Sequence, residues 1–352
     1  MGVLMFRNIK KNCKVLFISL ITIFLFLVSS SNYQVSSLRR VRTLRSRNRI
    51  SRSITEKQEI EEAGGLGLKL IGSKSMNGNS LGSSFRLSAR DRFDGNLFVL
   101  NDGKRQNNYL LTLLLDYKQT PVFINNKPKL SQRFSIDSYD AKMIPFKTKQ
   151  LDKGFKDLTV LVLNKPDDHS LDSTSRVINN TMVYSLRSNI FVDSSEPPSI
   201  NFLEKATTDI KDNEQIVPIY LSKSNANISS KKKEWFKEEV KPKQKLRYFI
   251  HVANKLQNKK PLPFALVSFL NYKQIPIKVG EQEPVKFCYL NYKEKTTIAA
   301  DLFVPEKKGV HELIVIMIAN PHMKLSDSQE RRNLQLEEEE IEHTLRVGLV
   351  VK

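Results

Sequence analysis

The chain has 352 residues, 40% of them hydrophobic and 27% charged, with 19 Phe and 10 Tyr. That is too apolar for a wholly disordered chain and too interrupted by charge for a polytopic membrane protein; the length suits two domains, each able to bury a core. The formal net charge of +20 favours polyanionic partners such as anionic lipid or an acidic cell-wall polymer.

At the start of the chain, Arg7, Lys10, Lys11 and Lys14 lead into the apolar run Val15–Val28, which is followed by Ser29, Ser30 and Ser31. This is the order of a secretory signal peptide, expected over residues 1–31. The run is shorter than the roughly 20 residues a spanning helix needs. An uncleaved signal anchor is the alternative, because cations soon after an apolar run oppose translocation.

Those cations are Arg39, Arg40, Arg42, Arg45, Arg47, Arg49 and Arg52, with no acid anywhere in residues 32–52. Like charges at this density repel and cannot pack, so 32–52 reads as a disordered linker. It would act as an electrostatic tether to an anionic membrane surface or an acidic envelope polymer. Without the first 31 residues the net charge is +16, and the seven arginines leave +9 on the remainder. Loss of the signal would remove Cys13 and leave Cys288 alone, so no intrachain disulfide is expected. In VKFCYLNY, Cys288 reads as a small buried hydrophobe.

The rest of the chain repeats itself. Tyr117, Lys118, Gln119 and Pro121 match Tyr272, Lys273, Gln274 and Pro276 at an offset of 155. The same offset relates Lys153-Gly154 to Lys308-Gly309, Leu158 and Val160 to Leu313 and Val315, and Pro166 to Pro321. It continues through Asp172, Ser173 and Arg176 against Asp327, Ser328 and Arg331. Downstream, YSLRSNIFV (184–192) resembles HTLRVGLVV (343–351) at an offset of 159. Two modules follow, 53–197 and 198–352, joined by DSSEPPS.

Short β-branched and aromatic runs recur in each: NLFVLN, YLLTLLLD, RFSID, MIPFK, DLTVLVL and MVYSL, then YFIHVAN, FALVSFLN, VKFCYLNY, TTIAADLFV, ELIVIMIA and TLRVGLVV. The fold class expected is all-β: two tandem antiparallel β-sandwich modules related by internal duplication. They are immunoglobulin-like only in the loose sense of strand-rich sandwiches. YLLTLLLD and ELIVIMIA are apolar on both faces, as central strands need when both faces are covered. Gly154 and Gly309 read as tight turns with positive φ entering strands. Helix is expected only at KKKEWFKEEVK (231–241) and SQERRNLQLEEEEIEH (328–343), the latter equally an acidic surface loop.

Chemical motifs are few. Gly78-Asn79-Ser80-Leu81-Gly82 matches a nucleophile-elbow pattern but lacks the helix such an elbow requires. The histidines at 169, 251, 311, 322 and 343 show no metal-ligand spacing. His169, in PDDHSLD, reads as part of a polar turn with an Asp capping a backbone N–H. Asp172/Arg176 reads as a local salt bridge or a helical-turn cap. Trp235 reads as the packed aromatic of the 231–241 helix, and sequons occur at Asn179 and Asn227.

The repeated Tyr117, Lys118, Gln119 and Tyr272, Lys273, Gln274 look exposed at strand ends and are the candidate binding loops. The alternative reading makes each Tyr a corner anchor through its hydroxyl. No catalytic residue, metal site or cofactor is implied. The expected function is that of a secreted or cell-envelope, non-enzymatic binding or assembly protein, its partner an unidentified protein or acidic polymer. Nucleic acid is disfavoured by the acids interleaved near Trp235. An extracytoplasmic hydrolase or metal-dependent enzyme, and a membrane-tethered structural subunit, are the alternatives.

Overall fold

A computed structural model describes residues 66–72, 84–180, 183–194, 196–203, 207–210, 217–225, 235–254, 259–325 and 341–352. The signal segment, the arginines of the tether, Ser80, the 328–340 stretch and most of the basic stretch before Trp235 lie outside the described residues. The first copy supplies β1 (Leu66–Gly72), β2 (Ser84–Leu87), β3 (Arg92–Asn101), β4 (Asn107–Leu115), β5 (Lys118–Thr120) and β6 (Val122–Ile124). It continues with β7 (Lys127–Lys129), β8 (Ser131–Ile136), β9 (Ala141–Gln150), β10 (Gly154–Asn164), the helix α1 (Ser173–Asn180) and β11 (Val183–Val192). The second supplies β12 (Thr207–Asp209), β13 (Ile219–Ser222), β14 (Lys237–Val240), β15 (Lys245–Ala253), β16 (Leu262–Leu270) and β17 (Lys273–Ile275). Its remaining strands are β18 (Val285–Leu290), β19 (Glu294–Phe303), β20 (Gly309–Ala319), β21 (Ile341–His343) and β22 (Val347–Val351).

Each copy is a two-sheet sandwich. In the first, the outer sheet runs β1-β3-β9-β6-β7 and the inner sheet β2-β11-β10-β4-β5, with β8 also on β4. In the second, the outer sheet runs β12-β19-β15-β13 and the inner sheet β14-β22-β20-β16-β17, with β18 on β16 and β21 on β20. The strands β4, β5 and β10 recur as β16, β17 and β20 at the 155 offset without a residue gained or lost. Positive φ recurs with them: Lys165 and Asn320 share it, and Gly154 (130°) and Gly309 (126°) enter their strands as expected.

Pairing is antiparallel except at one edge of each inner sheet, where β2 runs parallel to β11 and β14 parallel to β22. This corrects the helix expected at 231–241. Lys237–Val240 is an edge strand whose register on β22 is set by Val240 entering the core. Trp235 packs beside that core with its Nε1 donating to Glu238 (3.3 Å). Cys288 is fully buried in the same core.

The two-faced strands explain how the sandwiches combine. Leu111, Leu113 and Leu115 of β4, with Leu158, Val160 and Val162 of β10, fill the first sandwich. The alternate residues Leu110, Leu114, Leu161 and Leu163 face the other way. There they meet Ala265, Val267 and Phe269 of β16 and Ile314, Ile316 and Ile318 of β20. The two inner sheets thus cover one another, and the layers run outer, inner, inner, outer. Leu114 sits in this shared core and Val315 in the second sandwich's own core; both are fully buried. Truncating either to Ala should lower unfolding free energy by about 1–5 kcal/mol through lost burial and a residual cavity. Urea denaturation checks this, and a change within error for Leu114→Ala would mean that the inner sheets do not pack tightly.

Candidate functional site

The repeated Tyr-Lys-Gln element begins inside a two-residue hairpin turn. Asp116 and Tyr117 have φ of 50° and 65°, and Asn271 and Tyr272 have 50° and 63°. Both central residues positive is the turn that matches strand twist. Asp and Asn tolerate this region, but a bulky Tyr does so at a cost that its surroundings must offset.

Burial and hydrogen bonding supply the offset. The Tyr117 hydroxyl donates to Asp157 Oδ2 (2.6 Å) and accepts from the His322 N–H (2.5 Å). The Tyr272 hydroxyl donates to the Pro166 carbonyl (2.8 Å) and accepts from Arg346 (2.7 Å). Burial pushes the pKa of both phenols up.

The glutamines clasp the copies reciprocally. Gln119 N–H donates to Gln274 Oε1 (2.5 Å), and Gln274 N–H to Gln119 Oε1 (2.9 Å). Gln119 Nε2 donates to the Tyr272 carbonyl (2.9 Å), and Gln274 Nε2 to that of Tyr117 (3.0 Å). The tyrosines are therefore not exposed, which corrects their placement at open strand ends. Lys118, paired with Glu283 (2.8 Å), and Lys273 are exposed, while the two glutamines are half-buried. A strand's period-two alternation does not hold through a turn with positive φ, so a Tyr at a strand end can be buried beside an exposed Lys.

Two fully buried carboxylates occupy equivalent positions on the shared face, Asp157 on β10 and Glu312 on β20. Arg187 on β11 pairs with Asp157 (2.6 Å) and also donates to the carbonyls of Ala319 (2.7 Å) and Asn320 (3.1 Å) in the second copy. Arg346, its counterpart, donates to the Lys165 carbonyl (3.2 Å) in the first. The second pair is exchanged between copies. Glu312 is gripped in a bidentate fork by Arg176 of α1 (2.9 and 3.0 Å).

Arg176 thus makes no local salt bridge with Asp172, which instead caps α1 by accepting the Ser175 N–H (2.7 Å). His169 Nδ1 lies 3.3 Å from Glu312, and Asp168 accepts the Ser170 N–H (3.0 Å) in the expected polar turn. A buried carboxylate stripped of its partner is strongly destabilising, whereas removing both charges is often neutral. Arg176→Met should therefore cost about 3–5 kcal/mol, and adding Glu312→Met should recover most of it. A double variant no more stable than Arg176→Met alone would sink this reading of the pair.

One hydroxyl–imidazole cluster escaped the sequence reading. On the outer sheet of the second copy, His251 stacks on Tyr220 (4.4 Å), with Nε2 2.7 Å from Ser222 Oγ and Nδ1 2.9 Å from Thr297 Oγ1. Ser222 donates its own hydrogen to the Ser224 carbonyl (2.6 Å). The hydrogen between Ser222 and His251 therefore belongs to the ring, and the ring offers Ser222 no lone pair with which to take its proton.

Burial pushes the His251 pKa down to about 4. Between that value and the ordinary value of about 6.5 the unfolded chain binds a proton that the fold does not, so stability rises with pH across this window. His251→Gln should shrink the stability difference between about pH 7 and about pH 5. An unchanged difference in denaturation midpoint would count against the neutral buried ring. His322, stacked on Tyr117 (5.0 Å), is also held below the ordinary value by burial. Among the described residues no cluster of His, Cys, Asp and Glu could hold a metal ion, and no helix is long and apolar enough to cross a membrane.

No protein-family model and no curated protein matches the chain. Among solved structures, red sea bream transglutaminase is 12% identical at a TM-score of 0.22, over 82% of this chain and 31% of that one. A CARDB domain from Pyrococcus furiosus, solved with di-metal ions, is 11% identical at 0.24, over 37% of this chain and 96% of that one. The ASH/PapD-like domain of human CEP192 is 8% identical at 0.22, over 38% and 89%. Overlaps this loose carry no argument about activity or partners.

Proposed function

We propose that the chain is an exported, non-enzymatic protein of the cell envelope or exterior, whose paired sandwiches form one rigid binding or assembly unit. The observation that carries this reading is what the duplicated polar residues do. Tyr117/Tyr272, Gln119/Gln274, Asp157/Glu312 and Arg187/Arg346 all bond within the seam between the copies or beside it. None of them is left facing a cleft where a substrate would react. Recognition then falls to surfaces that differ between the copies, as in a scaffold whose shared residues serve folding.

Export through the N-terminal segment, and tethering through the arginines between 39 and 52, belong to the same proposal. They rest on charge and on the order of basic, apolar and small residues. The test is turnover. Purified protein, with and without added divalent metal, should hydrolyse ester, peptide and glycan substrates no faster than buffer does. Turnover that disappears in His169→Ala, His251→Ala or Ser80→Ala would overturn the non-enzymatic reading.

A further inference from the structure

The outer faces of the two sandwiches are built differently. On the first, β3 and β9 put their inward residues Leu97, Val99, Ile144 and Phe146 into the core and turn the alternate ones to solvent. The outward set is mostly apolar toward the Leu100–Ala141 end and charged toward the other. Phe98 pairs with Met143, Leu100 with Ala141, and Asn96 with Pro145. Phe98 is 38% exposed and Met143 60%, side chains that a free sheet face would ordinarily bury or replace.

Cations surround this stripe. Lys69 lies beside Phe98 on β1, Lys147 and Lys149 follow on β9, and the Arg92 guanidinium stands over Phe123 (5.2 Å). Asp94, bound to Lys147 (3.1 Å), lies among them, and the exposed Asp140 stands at the Ala141 end of the stripe. The corresponding face of the second copy carries the hydrogen-bonded Ser222, His251 and Thr297, with the exposed Phe303 beside Lys245 and Phe249 under Arg247 farther along the same strands.

The geometry points to an anionic lipid bilayer as the occupant of the first copy's outer face, with Phe98, Leu100 and Met143 entering the headgroup boundary and the cations on its phosphates. This rests on the proposed role as a binding protein and names its partner. An apolar centre with a basic rim is the pattern of an interfacial lipid-binding surface. A second copy of the chain would oppose cation to cation. A nucleic acid would want a run of aromatic platforms, and the stripe itself presents one, Phe98, among Leu100, Met143 and Pro145. Connectivity agrees: the chain enters this sheet at its edge strand, at Leu66, fourteen residues after Arg52. That is a reach of at most about 50 Å, so a membrane attracting the arginines lies within range of this face.

A local reporter separates this face from the rest of the full chain. Phe98→Trp is combined with Trp235→Phe, which removes the native indole, and circular dichroism checks the fold. The protein is mixed with phosphatidylcholine vesicles, with or without phosphatidylglycerol, whose acyl chains carry bromine. The indole emission should shift to the blue and be quenched only with the anionic vesicles. Adding Lys69→Ser, Lys147→Ser and Lys149→Ser should reduce that quenching at least about fivefold, the contribution of even one surface cation. An indole that stays unquenched while the protein sediments with anionic vesicles overturns the proposal, since binding then lies elsewhere in the chain. Equal quenching by neutral vesicles overturns the anionic requirement. Protection of the indole by a soluble acidic polymer, without quenching by vesicles, overturns lipid in favour of polymer. None of these results bears on turnover, so the proposed function stands or falls separately.

Discussion

The strands β4 and β10, and their counterparts β16 and β20, are apolar on both faces. A two-sheet sandwich covers only one face of each sheet, so these strands cannot be satisfied by their own module. The second cover is the other copy. Burying Leu110, Leu114, Leu161 and Leu163 against Ala265, Val267, Phe269, Ile314, Ile316 and Ile318 removes from water a surface that either half alone would expose. The duplication is therefore a structural requirement of the fold: each copy completes the other.

An interface of leucine and isoleucine alone specifies register weakly, because many slides bury similar area. Polar groups set it here. The reciprocal glutamine bonds accept one alignment of the two hairpins, and the loops after β10 and β20 dock on the opposite copy through Arg346 and Arg187. The symmetry is broken where it meets charge. Asp157 is reached by an arginine of its own copy. The longer Glu312 is instead met across the seam by Arg176, carried on the helix α1. Inside the seam the ionic groups are paired and desolvated, so their value lies in orientation more than in net attraction.

Residues shared between the copies fold and join them, and the outer sheets differ in part. The first carries the Phe98–Met143 stripe, the second a buried Ser222–His251–Thr297 cluster on the same sheet as the exposed Phe303.

The sequence by itself determined the all-β class, the duplication, the two-faced central strands, the turn glycines Gly154 and Gly309, and the burial of Cys288. Each is set by local period or by comparison of the two copies, both visible in one dimension. It also carries Asp157 and Glu312 at the 155 offset within apolar strands, and Arg187 and Arg346 at the 159 offset between the aligned final strands. Tertiary structure decided the rest. Lys237–Val240 became an edge strand because a parallel neighbour, Val347–Val351, was free to pair with it. Tyr117, Gln119, Tyr272 and Gln274 became an interface because the second face of each inner sheet had to be covered. What covers a surface is a long-range contact, and residue order carries no direct mark of it.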